Sequence, residues 1–196
     1  MKGTKTPKRS RGRPDAARRP APRDTGARVT AFPALLGRQP RLLILGSLPG
    51  VASLQAHEYY AHPRNLFWDL MGELFGAHRG LSYAQRCAQL TEARVAVWDV
   101  LHQADRPGSL DSAIDMQTLA PNDFAPLFAA EPQLRTIAFN GQTAANLFRR
   151  RVLPLLPATL QLRLLTLPST SPAHAGRSRE QKLALWRELA TLLDEE

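Results

Sequence analysis

Residues 59–68, Tyr-Tyr-Ala-His-Pro-Arg-Asn-Leu-Phe-Trp, crowd aromatic rings, an imidazole, a guanidinium and an amide into a single short stretch. Rings offer stacking surface, and the Asn65 amide offers an acceptor beside its N–H donors. Other stretches have the same character. Gly46-Ser47-Leu48-Pro49-Gly50 is a turn of small residues and proline, where backbone can approach a ligand closely. Phe139-Asn140-Gly141 ends an apolar run in an amide, and Arg106-Pro-Gly-Ser-Leu-Asp-Ser112 is rich in turn and capping residues. Leu167-Pro-Ser-Thr-Ser-Pro-Ala-His-Ala175 gathers hydroxyls, and Ser/Thr side chains with main-chain N–H groups are common partners of phosphate oxygens. A ring to stack on, amides for a hydrogen-bonding edge and anchors for phosphate are what a site needs to hold a base turned out of a nucleic-acid stack.

Other chemistries fit less well. Walker A and dinucleotide fingerprints are absent. His57, His62, His78, His102 and His174 do not fall at metal-ligand spacing. Carboxylates are scarce near these stretches apart from Asp111, which argues against a two-metal nuclease. No metal and no cofactor are expected. The single cysteine, Cys87, excludes an internal disulfide and reads as a small buried hydrophobe.

Four short apolar runs must position these residues: Leu42–Leu45, Val95–Leu101, Thr136–Phe139 and Leu162–Leu167. Leu42–Leu45 is apolar at both parities, as in a strand covered on both faces. Helical patterns alternate with the runs. Asn65–Phe75 and Tyr83–Leu90 follow the first, and Asp123–Ala130, with Asn122 as N-cap, follows the second. Gly141–Arg151 follows the third and is stopped by Pro154. Ser178 with Gln181 forms a capping box opening Glu180–Leu193, whose apolar stripe is Leu183, Trp186, Ala190 and Leu193. This alternation predicts a three-layer α/β/α sandwich on a four-stranded parallel sheet. Trp68, Trp98 and Trp186 are expected in the core. In such folds sites gather beyond strand C-termini, where all the stretches above fall.

The chain has 196 residues and a formal charge of +9. Ten Lys/Arg and two Asp lie in residues 1–30, so the charge belongs mainly to that segment. Residues 1–30 are expected to be a disordered basic tail and 31–196 the folded domain, since the Arg/Pro/Gly/Ala-rich segment has too little apolar surface to offset its ordering entropy. Arg11-Gly12-Arg13-Pro14 resembles the core of an AT-hook, in which Arg11 and Arg13 would enter a narrow minor groove; a generic polyanion-binding arm is the alternative. No run approaches the roughly 20 apolar residues that span a membrane. The expectation is a soluble, cytoplasmic, nucleoid-associated monomer with DNA as its partner and no membrane.

Gly46-Ser-Leu-Pro-Gly50, Tyr60-Ala-His-Pro-Arg-Asn-Leu-Phe-Trp68, Phe139-Asn-Gly141 and Leu167-Pro-Ser-Thr-Ser-Pro-Ala-His174 together resemble the uracil-DNA glycosylase superfamily. The likeness is greatest to its hypoxanthine-DNA glycosylase branch, which shares the Tyr-Tyr-Ala-His-Pro-Arg-Asn-x-Phe-Trp run and an Arg-x-Gly-Ser-Leu-Asp-Ser segment. It spans roughly residues 38–190. The resemblance implies a monofunctional glycosylase that flips a deaminated base, most readily hypoxanthine, and hydrolyses its N-glycosidic bond with water. Uracil or mismatch removal and a non-catalytic DNA-binding module are the alternatives. Many superfamily members carry a catalytic Asn or Asp in the first motif where this chain has Leu48. The resemblance moves that role to Asn65, whose competing reading is a helix N-cap. It also implies that Tyr60 stacks on the base and that Asn140 reads its edge. Backbone of Gly46, Ser47 and Leu48, with Pro49 and Phe67, would complete the base site. Ser169, Thr170 and Ser171 would grip phosphates, with Ala173 and His174 entering the stack. Lys182, the only lysine beyond the tail, falls in the last helix, so no Schiff-base nucleophile is expected.

Overall fold

The computed structural model describes residues 28–194; the first 27 residues, with Arg11 and Arg13, and the last two lie outside it. From the N-terminus the elements are β1 (Arg28–Thr30), β2 (Leu42–Gly46), α1 (Val51–Ala56), α2 (Phe67–Phe75), α3 (Tyr83–Glu92), β3 (Val95–Asp99) and β4 (Leu101–Asp105). Then follow β5 (Ala120–Pro121), α4 (Ala125–Ala130), β6 (Thr136–Asn140), α5 (Gln142–Leu147), β7 (Arg163–Leu167), α6 (Arg179–Trp186) and α7 (Glu188–Asp194).

The expected parallel sheet is present, in the order β3-β2-β6-β7. Every residue of β2 is buried, and its side chains divide by parity between two cores. Leu43 and Leu45 join a cluster with Phe124, Phe128, Phe139 and Phe148, beneath α4 and α5. Leu42 and Ile44 join one with Phe67, Trp68, Leu90 and Trp186, beneath α2, α3 and α6. A strand with apolar side chains on both faces needs a helical layer on each side, so the three-layer α/β/α architecture follows from this pattern. No helix among the described residues is long and apolar enough to cross a membrane.

Several local expectations are corrected. The run Val95–Leu101 is not one strand. It ends at Asp99, and the chain re-enters at Leu101 as β4, between β1 and β5 in a small antiparallel sheet. Arg28, within the segment read as tail, pairs with Asp105 in the β1–β4 ladder and donates to its carboxylate at 2.6 Å. Asn122 does not cap α4: its Nδ2 donates to the Asp99 carbonyl at 2.9 Å, and the Asp123 carboxylate accepts from Ala125 N instead. Pro154 does not stop the helix after β6, which passes through a π turn (Phe148–Val152) and a 3₁₀ turn (Leu153–Leu155). The Ser178–Gln181 capping box is formed. Its helix breaks at Arg187, which shifts the buried positions from Ala190 and Leu193 to Leu189 and Leu192. Trp68 and Trp186 are fully buried, and Trp98 is half-buried against the first core.

Candidate active site

The parallel register aligns the strand ends. Gly46 pairs with Asp99, Leu45 pairs with Phe139, and Asn140 pairs with Leu167. Asp99, Gly46 and Asn140 therefore form one row across β3, β2 and β6, with their side-chain directions on the same face. Glycine in the middle of that row leaves a notch. A Cβ at Gly46 would lie 2.5 Å from Asp99 Oδ1 and 3.1 Å from the Tyr60 hydroxyl. Tyr60 itself has left-handed backbone (φ 55°), uncommon for a residue with a side chain, and its ring stacks on Phe67 with centroids 3.9 Å apart. Burial and the neighbouring Asp99 charge push its phenol above the ordinary tyrosine range, with the Asn140 amide opposing the rise. Asp99 is 4% exposed. Its carboxyl is pushed up to about 7, first by burial and then by the Asp111 charge, while Arg106 opposes the shift.

Beyond β2 the turn is held by its neighbours. Val100 N donates to Gly46 O at 2.8 Å, and Leu101 N donates to Ser47 O at 3.1 Å. Arg106, 2% exposed, donates to Leu48 O at 3.2 Å, to Pro49 O and to Gly108 O at 3.1 Å. One buried guanidinium thus fixes the backbone of the whole turn. The Ser47 hydroxyl donates to Asp111 Oδ1 at 2.6 Å. Leu48 is 6% exposed and packs in the first core, so Ser47 is the polar side chain of this turn.

On the other side of the notch, Asn140 is clamped by Thr170. Thr170 N donates to Asn140 Oδ1 and Asn140 Nδ2 donates to Thr170 Oγ1, each at 2.8 Å. A backbone N–H can only donate, so the amide orientation is settled; the second Nδ2 hydrogen is left on the side of the Tyr60 hydroxyl, whose rise it opposes without closing a hydrogen bond. Gly141 permits this approach: its φ is +105°, and a Cβ there would lie 2.9 Å from Ser169 Cβ. Thr170 was expected to meet phosphate. It is fully buried instead, and its hydroxyl serves Asn140. The Ser169 and Ser171 hydroxyls accept from Ser171 N and Ala173 N, bracing their own loop. That loop is bolted from below, since Trp186 Nε1 donates to Pro168 O at 3.0 Å and Lys182 Nζ to His174 O at 2.8 Å.

These elements enclose a cavity of about 420 Å³. Gly46, Ser47, Leu48, Asn140, Ser169, Ser171, Ala173 and His174, all expected site residues, line it. Pro49, Tyr60 and Phe67 stand behind the lining, and so does Asn65. Asn65 does not cap α2 through an N-cap geometry, since Leu66 occupies that position. Its Oδ1 accepts from Phe67 N at 3.0 Å, and its Nδ2 has no hydrogen-bond partner among the described residues. The next residue binds the Thr170 loop, Leu66 N donating to Thr170 O at 3.0 Å.

Asp99, Arg106 and Asp111 were not expected site residues. Asp111 lines the cavity. Its signal was present, as the one carboxylate near a strand end; Asp99 was hidden inside a run read as continuous strand.

The family model described as the uracil DNA glycosylase superfamily matches residues 33–190. A hypoxanthine DNA glycosylase of Methanosarcina acetivorans is 39% identical over 116 residues, 59% of this chain and 72% of that protein. One of Methanosarcina barkeri is 36% identical over the same shares of each chain. Among solved structures, an NMR structure of a Methanosarcina acetivorans protein proposed to be a uracil DNA glycosylase superposes with a TM-score of 0.66 at 34% identity, covering 83% of this chain and 99% of that one.

Proposed function

We infer the function from one premise: this chain belongs to the uracil DNA glycosylase superfamily. It is a DNA glycosylase, a hydrolase of N-glycosidic bonds that acts on deaminated bases. The base proposed is hypoxanthine, the activity for which the similar Methanosarcina proteins are named.

One observation carries this reading. Deamination replaces an exocyclic amino group, a donor, with a carbonyl, an acceptor. Asn140 reaches the cavity with its Oδ1 held by Thr170 N and an Nδ2 hydrogen uncommitted. A fixed donor favours the carbonyl of the deaminated base and opposes the amino group of its parent. A cavity of about 420 Å³ accommodates a purine.

In the proposed reaction the bond between C1′ and the base nitrogen breaks and its electron pair leaves with the base. Asn140 and turn backbone donors stabilise the charge developing there. Water adds to the oxocarbenium-like sugar and its proton passes to solvent. We assign Asn65 to holding that water, on the family resemblance and on its uncommitted Nδ2. Asp111 is a second candidate for supporting the cationic sugar, because its carboxylate lines the cavity.

The test incubates labelled duplexes bearing hypoxanthine, uracil, mismatched thymine or xanthine and cleaves abasic sites with alkali. Hypoxanthine release is expected; no abasic product from any duplex would overturn the enzyme reading, and uracil release alone would overturn the base assignment. Asn65→Ala should lower kcat about 10²–10⁴-fold, the usual scale for a group that positions a proton-transfer partner. Asp111→Asn should lower it about 10²-fold, as loss of an electrostatic stabiliser does. Full activity in Asn65→Ala alongside loss in Asp111→Asn transfers the water to Asp111.

Lys182→Met removes the bolt beneath the 168–174 loop. Its expected outcome is a stability change of about 1 kcal/mol with DNA binding weakened several-fold, read by fluorescence anisotropy.

A further inference from the structure

Asp99 is the polar group that the reaction above leaves unused. It lies in register with Gly46, on the opposite side of the notch from Asn140, and a Gly46 Cβ would fill the space against its Oδ1 at 2.5 Å. It is 4% exposed, and its Oδ2 has no hydrogen-bond partner among the described residues. The groups around it are committed elsewhere. Arg106 directs its donors to Leu48 O, Pro49 O and Gly108 O. Asn122 binds the Asp99 backbone carbonyl and leaves the carboxyl alone. The Tyr60 hydroxyl shares the notch and is likewise buried without a partner. A buried carboxyl that is neither ion-paired nor fully hydrogen-bonded is costly to keep, and this one lies against Gly46, which lines the base-binding cavity.

We propose that Asp99 is a specificity-determining residue that accepts the ring N–H next to the carbonyl bound by Asn140. In hypoxanthine these groups are N1–H and O6, adjacent atoms of one lactam edge. Asn140 presents a donor and Asp99 an acceptor from the two strand ends that flank β2, where Gly46 adds no side chain between them and the Tyr60 hydroxyl shares the notch. Adenine carries the reverse pattern, a ring lone pair beside an amino group, and would set donor against donor and, with Asp99 ionised, carboxylate against lone pair. The pair therefore selects lactam bases as a class. Asn140 alone would read only the carbonyl.

This inference rests on the glycosylase reading and is tested separately from it. The substrate pair is duplex DNA bearing hypoxanthine or 1-deazahypoxanthine, in which a C–H of the same size replaces N1–H. The readout is the ratio of their kcat/KM values for the full chain and its variants, so that any intrinsic difference between the leaving groups cancels. A hydrogen bond to a charged group corresponds to about 10–150-fold, so the wild-type ratio should exceed that of Asp99→Ala by a factor in this range. Asp99→Asn keeps the shape without the charge and should fall between. It also guards against misfolding. Because burial raises the Asp99 carboxyl to about 7, the folded state loses stability as pH rises toward that value, and a neutral amide removes the loss. Asp99→Asn should accordingly melt at pH 8 no lower than the wild type. If the wild type releases no hypoxanthine, the glycosylase reading falls and this inference with it. If the wild type releases hypoxanthine but both variants keep its ratio, the inference alone is overturned.

Discussion

Gly46→Ala is expected to reduce base excision more than 100-fold while leaving a folded protein. The backbone at Gly46 is that of an ordinary strand, and the obstacle is space. The new methyl would fall 2.5 Å from Asp99 Oδ1 and 3.1 Å from the Tyr60 hydroxyl, below any normal contact for the first and tight for the second. The Asp99 carboxyl is short, buried and on the adjacent strand in the same register, so it must tilt or the strands must part. Overpacking of this kind costs about 1–3 kcal/mol, which a domain of this size tolerates. The loss of activity should be larger, because the methyl occupies the notch between Asp99 and Asn140, where the base edge is proposed to sit. The measurements are single-turnover excision of hypoxanthine and thermal melting. Gly176→Ala is the companion variant: nothing lies within 4 Å of its Cβ position, and it should match the wild type in both. Normal excision by Gly46→Ala would remove the notch from the site.

The second large effect is on stability. Arg106→Met should destabilise the protein by about 3–5 kcal/mol, the range seen when one member of a buried charge group is removed. Arg106 is 2% exposed, and its loss leaves the carbonyls of Leu48, Pro49 and Gly108 without their donor. It also leaves Asp99 and Asp111 without the cation that offsets them. Urea unfolding measures the change. Adding Asp99→Asn should recover part of the loss, with a coupling of about 0.5–3 kcal/mol, since the uncompensated carboxylate is then gone. Arg106→Lys should rescue little, because an ammonium cannot reach three separated carbonyls as a planar guanidinium does. Strict additivity of Arg106→Met and Asp99→Asn would show that the two residues act independently.

What could be read from the chain follows the range of the interactions involved. Leu42–Leu45 is legible as a doubly covered strand because burial of both parities leaves a local trace, and Asn140-Gly141 is legible as an amide at a strand end for the same reason. The antiparallel sheet of β1, β4 and β5 leaves no such trace. Its strands are short, and β4 reads Leu-His-Gln-Ala-Asp, neither alternating cleanly nor continuously apolar. Asn122 looks like a helix cap by position, yet the Asp99 carbonyl competes for its amide across 23 residues of sequence. Thr170 has the composition of a phosphate anchor, and only the pairing of β6 with β7 turns its hydroxyl inward. Asp99 was invisible because one polar residue does not interrupt an apolar run; the strand's end is set by where its neighbour β2 stops pairing, at Gly46.

The Asn140–Thr170 clamp has a consequence for biosynthesis. Chains are made N-terminus first, so Gly46, Tyr60, Asp99 and Asn140 all emerge before the residue that orients the Asn140 amide, thirty positions further on. Until Thr170 is made and β7 has docked, that amide can rotate and offers either of its ends. A nascent or truncated chain thus carries the lining from Gly46 to Thr143 yet lacks the means to tell a damaged base from its parent. The same holds for a protein split between β6 and β7: discrimination would return only on reassembly of the halves, which makes base selectivity a sensitive report on completion of the sheet.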